Sequence, residues 1–537
     1  MREFVALYAA LDATTSTQAK VDAIAAYVRA AAPEDAAWGV WTLLGERPKR
    51  LLGVRRLATW AMESVGVEPW LFEACAASTG DLAEAIALLL PEPAPDAVVW
   101  PSLAELGEGI RGLAALDEAA QRAWVLERWR TLPTAASFVL LKLMTGALRV
   151  GVSSGLVTRA LGDALGVPVE RVAERLMGER TPSPELITSL RAPAPEGEGR
   201  GGRPYPFALA TPVEGEVEAL GDATRFLAEW KWDGIRCQVI RRGGQTWLWS
   251  RGEERVTERF PELVEATRAW PDGTVLDGEV LAWRDDAPLA FAVLQTRLQR
   301  KTVGPKLLAD APVVFVAYDV LEDAGVDVRA EPTALRRARL ERLVTAIDDP
   351  RVRLSPRVEG ADWSALHAAR ATSRARGVEG LMLKQLDAPY VAGRHKGGFF
   401  KWKIAPLTAD LVLTYAQPGS GKRSNLYTDY TFGAWQGGEL VTVAKAYSGL
   451  DDAELEALDR WIRRNTLEKF GPVRRVEPVQ VFELAFEGIS ASRRHKAGIA
   501  VRFPRIARWR TDKPAAEADH VDALRALADG DDDAQNV

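Results

Sequence analysis

The chain has 537 residues, 47% of them hydrophobic and 27% charged, with a formal net charge of −5. This length predicts two to four domains, and the composition is that of an ordinary globular protein. Two cysteines (Cys75 and Cys237) exclude a disulfide framework and a four-cysteine zinc site, four histidines without a pair at ligand spacing argue against a histidine-built metal centre, no apolar run is long enough to span a bilayer, and the acidic balance does not announce a nucleic-acid binder.

The opening Met1-Arg2-Glu3-Phe4 lacks the basic-then-apolar layout of a secretion signal, so the expected compartment is the cytoplasm. Residues 1–195 read as a helical domain. Val21, Ile24 and Val28 share one helical face. Asp81 with Glu84 reads as a helix start, with Leu82, Ile86 and Leu89 on one stripe. Leu140-Leu141-Lys142-Leu143-Met144 reads as a buried helix that stops before Gly146. From Ala192 to Pro204 the chain is rich in proline, glycine and charge, which is linker composition.

Residues 205–405 change texture to mixed α/β, with strands expected at 234–240, 246–250, 274–283, 313–321 and 380–384 and a helix over 336–347. In 406–518 strands are expected at 411–415, 427–435 and 440–446, then a helix over 452–468 and a strand over 479–485. Several strands around one inserted helix suit an OB-fold β-barrel. The end, 519–537, carries Asp529 and Asp531-Asp532-Asp533 and reads as a disordered acidic tail. The expected architecture is multidomain: an all-α N-terminal domain, an α+β middle domain and a C-terminal OB-fold.

The chemistry centres on Glu229-Trp230-Lys231-Trp232-Asp233-Gly234-Ile235-Arg236. A lysine two residues before Asp-Gly, entering a β-patterned stretch, is a candidate covalent nucleophile. A free lysine has a pKa near ~10.4, and nearby cations, a metal or desolvation favour the reactive amine. Lys401 and Lys403 lie two apart, on one face of a strand, where they can repel a neighbouring ammonium and hold phosphate oxygens; a solvated strand edge carries lysines equally well. Asp277 and Glu279 share a face across Gly278. Paired carboxylates among apolar residues need a cation, and a hard divalent ion such as magnesium is the natural one; the alternative is a hairpin turn at Asp-Gly. Glu379 and Lys384 put a charge at each end of an apolar strand. Tyr318, at the rim of 313–317, either stacks on a base or packs in the core. Arg251, in Ser250-Arg251-Gly252, has the fork that recognises phosphate. The set is what attack on a nucleotide's α-phosphate requires. Gly419-Ser420-Gly421-Lys422 is not a P-loop, because Ala416 and Arg423 stand where the pattern needs glycine and Ser or Thr; it reads as a basic loop near DNA.

This ordered series, from Leu227 to Pro514, resembles the motif set of the covalent nucleotidyltransferases, and specifically of the bacterial three-domain ATP-dependent DNA ligases. Lys231-Trp232-Asp233-Gly234, Ser250-Arg251-Gly252, Asp277-Gly278-Glu279, Tyr318-Asp319, Glu379 to Lys384 and Lys401-Trp402-Lys403 are similar to successive motifs of the pocket, and Arg510-Thr511-Asp512-Lys513-Pro514 to the OB-domain motif. Tyr318 stands where many members have phenylalanine. Leu148-Arg149-Val150-Gly151-Val152 is similar to a segment of the helical domain that holds duplex DNA in larger members.

The resemblance implies nick sealing through a lysyl-AMP on Lys231, with ATP and Mg2+ as cofactors. It implies Glu229 on the adenine edge, Tyr318 on its face, and Arg236 and Arg251 on ribose or nick phosphate. Glu279 would serve the ribose or the metal, and Glu379 the metal. Lys401 and Lys403 would hold the α-phosphate, with Lys384 beside them, and Arg510 and Lys513 the leaving pyrophosphate. Nicked duplex DNA is the implied partner of a monomeric, nucleoid-associated enzyme of repair, replication or recombination. Arg251, Arg300 and Lys301 are the expected DNA contacts, and the basic groups Arg47, Lys49, Arg50, Arg55 and Arg56, then Arg297, and then Arg493, Arg494 and Lys496 would extend them around the duplex, with affinity falling steeply as salt rises. An RNA ligase, a capping-type guanylyltransferase and a non-enzymatic DNA scaffold are the alternatives.

Overall fold

The computed structural model describes residues 1–48, 52–79, 81–146, 148, 150–178, 180–191, 201–298, 300, 303–395, 397–419, 426–492 and 495–533. Lys49, Arg50, Arg149, Lys301, Arg493, Arg494, the loop 420–425 and linker residues 192–200 lie outside these. The chain divides into two compact units, one of Met1–Val172, Arg180–Pro193 and Pro406–Ala526, the other of Ala173–Glu179, Ala194–Ala405 and Leu527–Val537.

The first unit begins with helices, from Arg2–Ala13 to Pro184–Arg191. The helix Thr17–Ala30 buries Val21, Ile24 and Val28 as the periodicity predicts. Asp81 caps Leu82–Leu89 by accepting from the amides of Ala83 and Glu84. It buries Ala83, Ala85, Ile86 and Ala87, with Leu90 just beyond, so Ile86 faces the core as expected, whereas Leu82 is exposed and Leu89 half-buried. Thr134–Thr145 ends at Gly146 in the left-handed region.

The same unit carries a sheet in the order Glu439–Ala446, Tyr427–Gln436, Leu407–Pro418, Val473–Val476, Thr466–Phe470, with Val481–Phe486 pairing Leu407–Pro418 on one side and Arg505–Trp509 on the other. Between its third and fourth strands in chain order lies the helix Asp452–Arg464, started by a capping box of Asp451 and Glu454 and anchored by Leu455, Leu458 and Ile462. This is the OB-type order, a half-barrel. The helix stops four residues earlier than expected, because Asn465 closes it and Thr466–Phe470 is drawn into pairing with Val473–Val476. The acidic end also departs from expectation. Val521–Asp533 is helical, since Val521 and Leu524, three apart, have apolar surroundings in which to bury.

The second unit holds two larger sheets and a short parallel pair, Ala208–Leu209 with Gly393–Arg394. A seven-stranded sheet has the main order Val352–Leu354, Val313–Asp323, Thr274–Arg284, Ile235–Arg242, Gln245–Ser250. A four-stranded sheet runs Thr211–Pro212, Phe399–Lys403, Val378–Gln385, Phe226–Trp232. Leu276, Val280, Phe315, Ala317 and Val320 of the first pack against Leu263 and Leu340 from flanking helices. Ala228, Leu381, Leu383 and Trp402 of the second pack around Trp363 and Leu366. The chain crosses from the smaller sheet to the larger through Asp233-Gly234 alone. The crossing needs glycine, because a Cβ on Gly234 would lie 2.4 Å from the carbonyl oxygen of Val280. Asp277-Gly278 lies mid-strand, which excludes a hairpin turn there, and Val313–Asp323 runs past Tyr318 and Asp319, so neither residue is at a strand end.

Candidate active site

Lys231 ends the strand Phe226–Trp232, two residues before the crossing between sheets. Side chains two apart share a strand face, so Glu229 and Lys231 point the same way. The neighbouring strand supplies Glu379, next to Gly380, which admits no side chain: its φ is +132°, and a Cβ there would stand 2.3 Å from Trp402 O. The next strand supplies Lys401 and Lys403, with Gly380 opposite Lys403 and Met382 opposite Lys401.

Glu379 Oε2 is ion-paired with Lys231 Nζ and lies 3.2 Å from Lys403 Nζ. Burial alone would raise the Glu379 carboxyl, but Lys231 and Lys403 outweigh it and hold the group below the usual range. The Lys401 ammonium is shifted down, first by burial and then by Arg394, Lys403, Lys231 and Arg251. Lys401 and Lys403 are therefore not a solvated strand edge; they share one positively charged neighbourhood with Lys231 and Arg251. Glu279, opposite Arg236 in the larger sheet, is pushed up to about 8 by burial, against the pull of Lys231 and Arg236.

Arg236 and Asp277 sit differently from the expectation for a ligand-facing arginine and a metal-facing acid. Arg236 Nη2 and Nε meet the two carboxylate oxygens of the fully buried Asp277 at 2.7 and 3.1 Å, and Nη1 donates to Ala208 O at 2.6 Å. Tyr390 OH donates to the same carboxylate at 2.7 Å. Asp277 thus balances an arginine, and its charge also raises the Glu279 carboxyl.

Glu229 is buried. Its Oε1 accepts from Arg337 Nη1 at 2.9 Å, and its Oε2 lies 2.6 Å from Lys384 Nζ in an ion pair, with no hydrogen bond of good geometry to that oxygen. Lys384 also donates to Tyr318 O at 2.8 Å and stands 4.8 Å from the centre of the Tyr318 ring. Glu229, Lys384 and Tyr318 form one cluster, and Lys231, Glu379, Lys401 and Lys403 another. A strand rises about 3.3 Å per residue, so Glu229 and Lys231 are spaced by roughly 7 Å along it.

Sequence reasoning missed Arg337, Tyr390 and Arg336, which grips Asp319 at 2.8 and 3.1 Å. Adjacent arginines on the buried side of a helix were the available signal. It also misplaced Arg297, which is fully buried and bonds Glu262, Ala311 O and Arg259 O rather than facing DNA. Arg251 and Arg300 are exposed, as are Arg47, Arg55, Arg56 and Lys496. In the other unit, Arg510 and Lys513 converge, each at 2.8 Å, on Asp410 Oδ2.

Two sheets, with a lysine cluster where the chain crosses between them at Asp233-Gly234, define the middle of the chain as a nucleotidyltransferase domain. A family model described as "ATP dependent DNA ligase domain" matches residues 208–403, one described as "DNA ligase N terminus" matches 1–162, and one described as "ATP dependent DNA ligase C terminal region" matches 423–513. A "Probable DNA ligase" of Koribacter versatilis is 32% identical over 548 residues, covering 96% of this chain and 95% of that protein. A "DNA ligase B" of Mycobacterium tuberculosis is 33% identical over 541 residues, covering 96% and 97%. The solved structure named "Pmar-Lig_PreS3" shares the fold at a TM-score of 0.59 and 14% identity, over 94% of this chain and 99% of that one. The chain belongs to the ATP-dependent DNA ligase family, and it is a DNA ligase that uses ATP.

Proposed function

We propose that this ligase seals nicks in duplex DNA by three phosphoryl transfers that begin on Lys231. The supporting observation is the meeting of Lys231 and Lys403 on one oxygen of Glu379, with Lys401 alongside. The ion pair with Glu379 opens, Lys231 gives up a proton to solvent, and its free amine attacks the α-phosphate of ATP, forming the P–N bond as the bond to pyrophosphate breaks. Lys401 and Lys403 then balance charge that builds on the phosphate oxygens, and do so without reorganising. AMP passes to the 5′-phosphate at the nick, and the 3′-hydroxyl displaces it.

Glu229 meets the adenine edge, Tyr318 its face, and Glu279 the ribose or the metal. Arg251 contacts nick phosphate, with Arg300 and Lys301 on flanking backbone. Arg236, spent on Asp277, acts by shaping the ribose side of the cleft. Arg510 and Lys513 bind the leaving pyrophosphate, which needs the C-terminal domain to close on the cleft through a joint near Ala405-Pro406.

Magnesium fits the donor set in part. Among the described residues no three carboxylate, histidine or cysteine side chains form a ready cage. Glu279 and Glu379 offer two carboxylates that both act on Lys231, and a triphosphate supplies further oxygens, which is how this ion is commonly held. When bound it would withdraw charge from the phosphate oxygens. The domains we assign are 1–195 for DNA holding, 205–405 for adenylation and 406–518 for the OB-fold, with 519–537 as the acidic end. The enzyme acts as a monomer on the nucleoid, in repair, replication or recombination; no described helix is long and apolar enough to cross a membrane.

The test is a singly nicked duplex incubated with ATP and magnesium. The sealed strand should appear with release of AMP and pyrophosphate. Sealing of nicked RNA but not DNA, or adduct formation from GTP in preference to ATP, would overturn the proposal in favour of an RNA ligase or a capping-type enzyme.

A further inference from the structure

The helix Thr333–Ile347 buries two consecutive arginines, Arg336 and Arg337. Arg336 clamps Asp319, the residue after Tyr318, with Nε–Oδ1 and Nη2–Oδ2 distances of 2.8 and 3.1 Å. Arg337 reaches the other sheet and bonds Glu229 Oε1 at 2.9 Å. Consecutive helical residues diverge by about 100°, so one helix turn grips one strand from each sheet. Arg337 is itself fixed from behind. Its Nε donates to Glu341 Oε1 at 2.7 Å, and Arg357 Nη2 donates to that same oxygen at 2.8 Å. Both members of the Arg337–Glu229 pair are buried, with side chains 4% and 2% exposed.

We propose that Arg337 is a positioning residue for purine selection. It holds Glu229 so that the free acceptor sites of the carboxylate face the ligand, and the site thereby takes a 6-amino purine and rejects a 6-oxo purine. This rests on the reading that Glu229 meets the base edge. A carboxylate only accepts hydrogen bonds, and its two oxygens offer about four acceptor sites. Arg337 fills one on Oε1. Lys384 takes one on Oε2, at 2.6 Å in an ion pair, which leaves about one further acceptor site on each oxygen for an exocyclic N–H. A 6-oxo purine would present an oxygen to that oxygen. Without Arg337 the Glu229 carboxylate can turn, and the distinction weakens. Arg336 and Arg337 together tie the base-stacking strand and the edge-reading strand to one rigid element, so face and edge are set by the same helix.

The experiment measures lysyl-AMP formation by the full chain from ATP and from inosine triphosphate. Arg337→Gln should raise the KM for ATP about tenfold while leaving turnover within about twofold, and lower the ATP-over-ITP preference about tenfold, the loss of one charged hydrogen bond. Arg337→Lys should recover part of the preference, since one ammonium can still reach Oε1. An unchanged preference in Arg337→Gln, whatever its melting temperature, overturns the proposal; if that variant does not fold, an unchanged preference together with a wild-type KM in Arg337→Lys does so instead. Glu229→Gln separates the two levels. If it leaves the preference intact, the reading of Glu229 fails; if it abolishes the preference and Arg337→Gln does not lower it, only the role of Arg337 fails.

Discussion

Lys231 and Glu379 are ion-paired across adjacent antiparallel strands, and the same Glu379 oxygen lies 3.2 Å from Lys403. The candidate nucleophile is therefore held in place by the acid assigned to the metal. Replacing that acid leaves two ammonium groups facing each other and removes one of two metal-binding carboxylates. Glu379→Gln should slow lysyl-AMP formation roughly a hundredfold, the scale on which a preorganised charged group acts. Rapid-quench measurement of the adenylation step checks this, and a wild-type rate would remove Glu379 from the chemistry.

The Glu279 carboxyl has a folded-state value of about 8, against 4.5 for the free group. Between those two values the folded chain keeps a proton that the unfolded chain releases. Stability from this group is thus full below about pH 4.5 and falls as pH rises, until it is lost above about pH 8. Without metal, the melting temperature should decline over this window, and Glu279→Gln should melt with a flatter profile and at higher temperature at the alkaline end. Magnesium should restore part of the wild-type stability there by accepting the ionised carboxylate. A pH profile identical in wild type and variant would contradict a Glu279 carboxyl raised by its surroundings.

Arg236 is spent on Asp277, whose side chain is fully buried. Removing one partner of such a pair strands the other charge, at a cost of about 3 to 5 kcal/mol. Arg236→Ala should lower the unfolding free energy by that scale, whereas Arg251→Ala, at an exposed residue, should leave stability alone and weaken DNA binding. Equilibrium denaturation of both variants separates the roles. Equal stability of the two would show that the Arg236–Asp277 pair does not anchor the cleft.

Asp410 holds Arg510 and Lys513 at 2.8 Å each, and its second oxygen is buried without a hydrogen bond. A phosphate seeking those two cations competes with this carboxylate. Asp410→Asn should lower the KM for ATP in the adenylation step and make pyrophosphate a stronger product inhibitor. If inhibition by pyrophosphate is unchanged, Arg510 and Lys513 do not receive the leaving group.

Two of the motifs were legible because they pair a charged group with a glycine that close strand packing demands. Lys231 with Gly234 and Glu379 with Gly380 are cases where a backbone carbonyl stands less than 2.5 Å from any Cβ, so the pattern is local and survives in the bare string. Helix starts such as Asp81 were legible for the same reason. What stayed hidden depends on contacts far apart in sequence. Arg337 and Glu229 are separated by 108 positions, and nothing near either residue announces the other. Arg297 looked like a surface cation because sequence does not show that Glu262 waits beneath it. The end of the chain read as disordered from its charge, while Val521 and Leu524 were enough to fold it into a helix.

The central claim is that AMP becomes bonded to Lys231, and α-labelled ATP tests it directly. Wild-type enzyme with magnesium should acquire acid-labile label that maps to the peptide containing Lys231, and that label should leave on addition of nicked duplex DNA. Lys231→Ala should acquire none while melting within a few degrees of wild type. An acid-labile AMP adduct retained by Lys231→Ala would contradict the account.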